Sequence, residues 1–247
     1  MEKVNFAFLH GGGQGGWVWD DTLMAMETQS GGHARCLALD APGCGTKRGR
    51  DTSGIAFADI ARELVSDIEA AGMTDVILVG HSQAGMELPG MAKIAPALFR
   101  RLVFVTCSAP LDGRTTIEQM GSGLHGSRPD EVGWPVDPET TTMPERFRAM
   151  FCNDMSGAEA DAFLARLGED MWPMCCYTQR NWNHDHLREF PVTYVKCLKD
   201  QSLPPEWQDR FAGRLHADRM VSIDAGHQVM NTRPHALAEV LLAESRV

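Results

Sequence analysis

Short apolar runs alternate with stretches of helical period along most of the chain. Val4 to Leu9 runs into His10 and a glycine cluster, and Ala34 to Leu39 runs into Asp40-Ala41-Pro42-Gly43, so both read as buried strands closed by loops. Phe57, Ile60, Ala61, Leu64, Val65 and Ile68 recur on one helical face, with Thr52 or Ser53 as N-cap and Gly72 as the stop. Val76 to Val79 predicts a strand, Gln83 to Phe99 a helix bent at Pro89, and Leu102 to Val105 another strand. From Pro110 to about Arg188 the rhythm fails and Met, Trp, Pro and Gly become frequent. Pro191 to Leu198 restores a strand, Pro204 to Leu215 a helix and Met220 to Ile223 a strand; Thr232 then caps a closing helix with Pro234 in its first turn.

This alternation predicts an α/β chain: a mostly parallel sheet of about six strands with helices on both faces. A single domain is expected, with its core in residues 1–109 and 186–247 and an insertion over 110–185. Apolar residues make up 43% of the 247 residues, enough to bury one large core. The net charge of −10 opposes a phosphate backbone or an anionic lipid surface, so neither nucleic acid nor membrane is an expected partner. No apolar run reaches the roughly 18 residues of a membrane span, and the first residues lack the pattern of an export signal. Seven cysteines, an odd number, three of them in apolar strand-like runs, fit a reducing compartment. The expectation is a cytoplasmic protein, with a homodimer compatible.

Two readings compete for the first glycine cluster. Gly11-Gly12-Gly13-Gln14-Gly15-Gly16 after a strand, with Asp40 ending the next, outlines a dinucleotide site. Trp17-Val18-Trp19 is a poor helix opening against a pyrophosphate, however, and neither Tyr177 nor Tyr194 has a lysine four residues on. Alternatively His10-Gly11-Gly12-Gly13 offers backbone N–H groups to an oxyanion.

Strand Val76 to Val79 leads through Gly80-His81-Ser82-Gln83-Ala84-Gly85 into a helical pattern, the context of a nucleophile elbow. Small residues are needed two before and two after the serine, and Gly80 and Ala84 supply them, although glycine is usual at the second position. Ser82 needs a base, and His227 follows the last predicted strand, at the same sheet edge. Asp200 ends the preceding strand and can orient the imidazole; Asp112 competes for that role from after an earlier strand, and Asp224 is too near His227 in sequence. His10 and His81 flank the site and are expected to hold loops together, and His184-Asp185-His186 is a weak metal candidate without a supporting motif.

Together these residues resemble the α/β-hydrolase superfamily, and within it plant-type methyl esterases and hydroxynitrile lyases with their bacterial relatives. The resemblance rests on the strand before His10-Gly11, Trp17-Val18-Trp19, Gly80-His81-Ser82, Asp200 with Leu203-Pro204 and Gln208, and Gly226-His227 ahead of Pro234. It implies the backbone N–H groups of Gly12 and Gln83 as oxyanion donors and the insertion as a cap. The lyases of this branch carry a lysine after the catalytic histidine, where this chain has Gln228, so ester hydrolysis is favoured.

The resulting expectation is a cofactor-free serine carboxylesterase with Ser82, His227 and Asp200 as catalytic residues, acting on a small hydrophobic or aromatic ester or lactone. Gly11, His81, Trp134, Met155 and Trp182 are the candidate substrate contacts, in a cap that also holds Met143, Met150, Met171, Trp172 and Met174. A small-molecule receptor, or a cofactor-free lyase or oxygenase, on the same scaffold are the alternatives.

Overall fold

The structure, a computed structural model, describes residues 3–246. Six strands, β1 (Val4–Leu9), β2 (Ala34–Leu39), β3 (Val76–His81), β4 (Phe99–Val105), β5 (Val192–Cys197) and β6 (Arg219–Ile223), form one sheet in the order β2-β1-β3-β4-β5-β6. Every neighbouring pair is parallel. A parallel sheet needs cover on both faces, and the side-chain alternation of the strands supplies two cores. Phe6, Phe8, Ile77, Val79, Val103 and Val105 pack with Ala25 and Met26 of α1 (Asp20–Ser30) and with Leu237 and Leu241 near the C-terminus. Ala7, Leu9, Leu78, Leu102 and Phe104 pack on the other face with Ile60, Leu64 and Ile68 of α2 (Phe57–Ala70).

The local expectations fail where tertiary packing overrides the pattern. Helix α1 has no apolar stripe and exposes Met24; it is held by packing on the C-terminal helix. Ala56, which makes no side-chain cap, precedes α2, so neither Thr52 nor Ser53 is its cap. The continuous helix expected after Gln83 is instead a 3₁₀ turn, Ser82–Met86, followed by α3 (Leu88–Ile94). Pro89 lies in the first turn of α3, where its missing N–H costs nothing, so it starts a helix rather than bending one.

Between β4 and β5 lie α4 (Thr116–Met120), α5 (Met143–Phe151), α6 (Gly157–Arg166) and α7 (Cys175–Thr178). The first three open on capping boxes, Thr115 with Glu118, Thr142 with Glu145 and Ser156 with Glu159. After β5 come α8 (Pro205–Arg214), α9 (Val229–Thr232) and α10 (Pro234–Glu244). Thr232 ends α9 and donates its hydroxyl to Asp154 at 2.9 Å, and Arg233 takes the N-cap place of α10.

From β1 the chain steps to β2 on one side and returns to β3 on the other. The loops after β1 and β3 therefore diverge, opening a crevice at the carboxyl edge of the sheet.

Candidate active site

Ser82 sits at that crevice with φ of +54°, the left-handed region that a side-chain-bearing residue enters at a cost. The turn is held by close contacts that exclude larger residues. A Cβ at Gly80 would lie 2.8 Å from both Leu88 methyls and 3.0 Å from the Ala84 Cβ, and one at Gly85 would overlap the Ser108 carbonyl. Ala84 is fully buried, and its methyl, which departs from the glycine pattern, joins the core on that face of the sheet.

The serine hydroxyl lies 2.9 Å from His227 Nε2, and His227 Nδ1 lies 2.7 Å from Asp200 Oδ2. With Nδ1–H donating to the carboxylate, Nε2 presents its lone pair to the hydroxyl. Asp200 is fully buried and fixed from three further donors. Its Oδ1 accepts the N–H groups of Ser202 and Leu203 at 2.7 and 2.8 Å, and its Oδ2 accepts the Thr106 hydroxyl. Gln208, also buried, bonds Cys197 N and O and Leu203 O, which ties the Asp200 loop to the end of β5. The competing acids are committed elsewhere: Asp112 accepts the Trp182 N–H at 3.0 Å, and Asp224 pairs with Lys199 at 2.7 Å.

The glycine loop lies directly across from the serine. A Cβ at Gly11 would come 2.9 Å from His81 Nδ1 and 3.0 Å from Ser82 Cβ, and one at Gly12 would overlap Gln83 Oε1. The Gly11 carbonyl accepts His10 Nδ1–H at 2.8 Å and the Trp172 indole N–H at 3.1 Å, which fixes the loop's peptide orientation. The Gln83 N–H lies in the first turn of a 3₁₀ segment, where such groups have no intrahelical acceptor. Asp40, the acid of the dinucleotide outline, accepts Gly16 N–H at 2.6 Å and both the N–H and hydroxyl of Thr46, so its oxygens close the loop.

A cleft of about 410 Å³ opens over Ser82. Gly12, Gln83 and Trp134 line it, with Phe147, Met150, Phe151, Met171 and Tyr177 among the apolar walls. Met155 lies instead in a separate groove of about 290 Å³ beside Trp17 and Phe163. Trp182 is buried edge-on against Phe57 and donates its indole N–H to the Arg114 carbonyl at 2.7 Å, so it joins the insertion to α2 outside the cleft. His81 is fully buried behind the serine; Nε2–H donates to the His227 carbonyl at 3.0 Å, and the two rings lie 4.7 Å apart. Burial, reinforced by His227, holds the His81 pKa well below the ordinary histidine value, so it is neutral.

Three contributors were not legible as site residues. Thr106, Tyr177 and Asp170 sit in no motif. Asp170 is buried and accepts from Trp17 Nε1, Gly45 N–H and the Arg48 guanidinium, linking the insertion to the first loops. Burial alone would raise its carboxyl pKa, but these donors hold it below the usual value. No group of three or more metal-ligating side chains occurs among the described residues, and His186 Nε2–H donates to the Pro89 carbonyl at 2.8 Å.

A hydroxyl, an imidazole and a buried carboxylate thus stand in hydrogen-bonded series at the switch point of a parallel sheet, an arrangement that suits a hydrolase. The chain belongs to the α/β hydrolase family, whose model matches residues 6–240. Its relatives include a carbendazim hydrolyzing esterase from Nocardioides sp. (strain SG-4G), 36% identical over 97% of this chain and 99% of that protein. Methylesterase 17 from Arabidopsis thaliana is 24% identical over 96% of this chain and 90% of its own length. Among solved structures, a pyrethroid hydrolase from Sphingobium faniae JZ-2 superposes with a TM-score of 0.75 at 22% identity, covering 99% of this chain and 98% of that one.

Proposed function

We propose that the protein is an ester-hydrolysing enzyme that works through an acyl-enzyme on Ser82, with a small hydrophobic or aromatic ester or lactone as substrate. The observation that carries this reading is the unbroken hydrogen-bonded series from Ser82 Oγ through His227 to Asp200. The esterase relatives support the same reaction class. His227 Nε2 takes the serine proton as Oγ bonds the carbonyl carbon. The resulting oxyanion is received by the backbone N–H groups of Gly12 and Gln83. As the carbon–oxygen bond to the alcohol breaks, His227 returns the proton to the departing oxygen, and Asp200 stabilises the imidazolium between the two transfers. Water then repeats the sequence on the acyl-enzyme, releasing the acid and restoring the serine.

The apolar walls of the cleft favour a hydrophobic group, and its volume suits a compact ring better than a long acyl chain. Gln228, the residue after His227, is uncharged and buried, so the position that would stabilise a departing cyanide carries no cation. A Ser82→Ala variant assayed on phenyl acetate and methyl benzoate is expected to lose roughly 10⁴-fold to 10⁶-fold in kcat. Retention of a tenth of wild-type turnover would overturn the assignment. Tight binding of such compounds by the wild type without turnover would select the receptor alternative.

A further inference from the structure

The segment after β4 joins the two halves of the candidate site. Ser108 donates its N–H to the Ser82 carbonyl at 3.1 Å, and the Cys107 thiol donates to the Gly80 carbonyl at 3.2 Å, so both residues hold the nucleophile's turn. Thr106, immediately before them, donates its hydroxyl to Asp200 Oδ2. That oxygen also accepts His227 Nδ1–H at 2.7 Å, so threonine and imidazole share one acceptor, while Oδ1 is occupied by the N–H groups of Ser202 and Leu203. Thr106 has a φ of +39°, a conformation that a β-branched residue rarely adopts. It is fixed there by its own N–H, which donates to the Val195 carbonyl at 2.9 Å, and by the Tyr194 hydroxyl, which donates to the Cys107 carbonyl at 2.7 Å. Thr106 is fully buried. Packing there does not call for a hydroxyl: valine has nearly the same shape, and glycine would relieve the turn.

We infer that Thr106 is a positioning residue for the hydrolysis: its hydroxyl holds Asp200 Oδ2 against His227 and takes up part of that oxygen's charge, which sets how firmly the imidazolium is held. This rests on the ester-hydrolase reading and adds to it a residue that never meets the substrate. A carboxylate oxygen with two donors spreads its charge over both. With the hydroxyl removed, His227 becomes the sole donor to Oδ2. The imidazolium is then held more firmly, so a higher pH is needed to free Nε2 for the serine proton. The carboxylate is also less constrained, so Nε2 is less often directed at Ser82. Burial keeps the neighbouring His81 neutral and lowers the pKa of His125, which feels the charges of Glu206 and Asp200. Burial pushes Tyr194 and Cys197 of β5 well up, so both stay protonated. Asp154, which accepts the Gly226 N–H at 2.7 Å, and the Lys199–Asp224 pair carry charge beside the His227 loop, and a substitution at Thr106 leaves them in place.

The test follows phenyl acetate hydrolysis across pH in the wild type and in Thr106→Val, which keeps the shape and loses the hydroxyl. In the variant the acidic limb of kcat/KM is expected to move to higher pH by about 0.5–1, and kcat on the plateau to fall on the order of tenfold with KM little changed. Thr106→Ser, which keeps the hydroxyl, should restore the wild-type limb and most of kcat. Thr106→Ser and Thr106→Ala differ only by that oxygen and bring no β-branch into the strained turn, so their comparison decides the point should the valine variant not fold. A limb that stays in place or moves to lower pH in Thr106→Val and Thr106→Ala, or a serine variant no better than the alanine one, overturns the inference and leaves the esterase reading standing. Failure of the wild type to hydrolyse either phenyl acetate or methyl benzoate would remove both.

Discussion

At the residue scale, the site depends on a few contacts that the sequence announces and a few that it hides. The small positions around Ser82 were readable because a strained turn admits little else, and the structure gives each a neighbour that a larger side chain would strike. For His81 the sequence offered two roles, holding loops together and touching substrate. It donates to the His227 carbonyl and stays neutral, which makes it a positioning residue. A His81→Phe variant keeps the bulk and loses that hydrogen bond; kcat should drop about tenfold with KM little changed. A loss confined to KM would point to substrate contact instead. Glu87 is also fully buried, and burial pushes its carboxyl well above the ordinary 4.5. Between that ordinary value and the raised one the unfolded chain releases a proton that the folded chain keeps, so this group lowers stability as pH rises. Glu87→Gln should therefore raise Tm by a few °C at pH 8, on the order of 2–4 °C, and by less at pH 4.5. A gain that is largest in acid would contradict the sign.

At the element scale, strands and the amphipathic α2 were legible because their apolar periods match the faces they bury. Helix α1 was not, since its residues carry no such stripe and its position is set by α10, far along the chain. Pro89 misled because proline breaks a helix interior but suits a first turn, and the sequence does not say which applies. Least legible was the insertion. Its methionines and tryptophans look equivalent, yet Trp134 and Met171 line the cleft while Trp182 and Met155 do not. Asp170 joins the insertion to the loops after β1 and β2 through Trp17, Gly45 and Arg48. Asp170→Ala should lower Tm by about 5 °C at pH 7. Because the folded-state pKa is depressed, that contribution exists above the ordinary 3.8 and is lost as pH falls through the lower value, so the gap to wild type should narrow in acid. An unchanged Tm at neutral pH would show that the link carries no stability.

At the scale of the whole molecule, sheet order brings together side chains that the sequence holds far apart. Ser82 and His227 are 145 residues apart, and a parallel sheet delivers both to its carboxyl edge. That convergence was legible, because strand-then-loop order fixes which edge each loop occupies. The preference for Asp200 over Asp112 was likewise a reading of strand order; in the structure Asp200 accepts from His227 while Asp112 accepts from Trp182. Net charge acts at this scale too: at −10, with an uncharged cleft lining, the protein offers an anionic substrate neither attraction at long range nor a partner on arrival. Dimethyl terephthalate should be hydrolysed with a kcat/KM at least about tenfold above that of the monomethyl acid; equal rates would contradict this.

The account as a whole turns on Ser82 being the activated nucleophile. Reaction with a fluorophosphonate, followed by peptide mapping, reads that property directly. A single adduct on Ser82 is expected, formed far more slowly in His227→Ala. An adduct on another residue, or labelling of Ser82 that is indifferent to loss of His227, would contradict it.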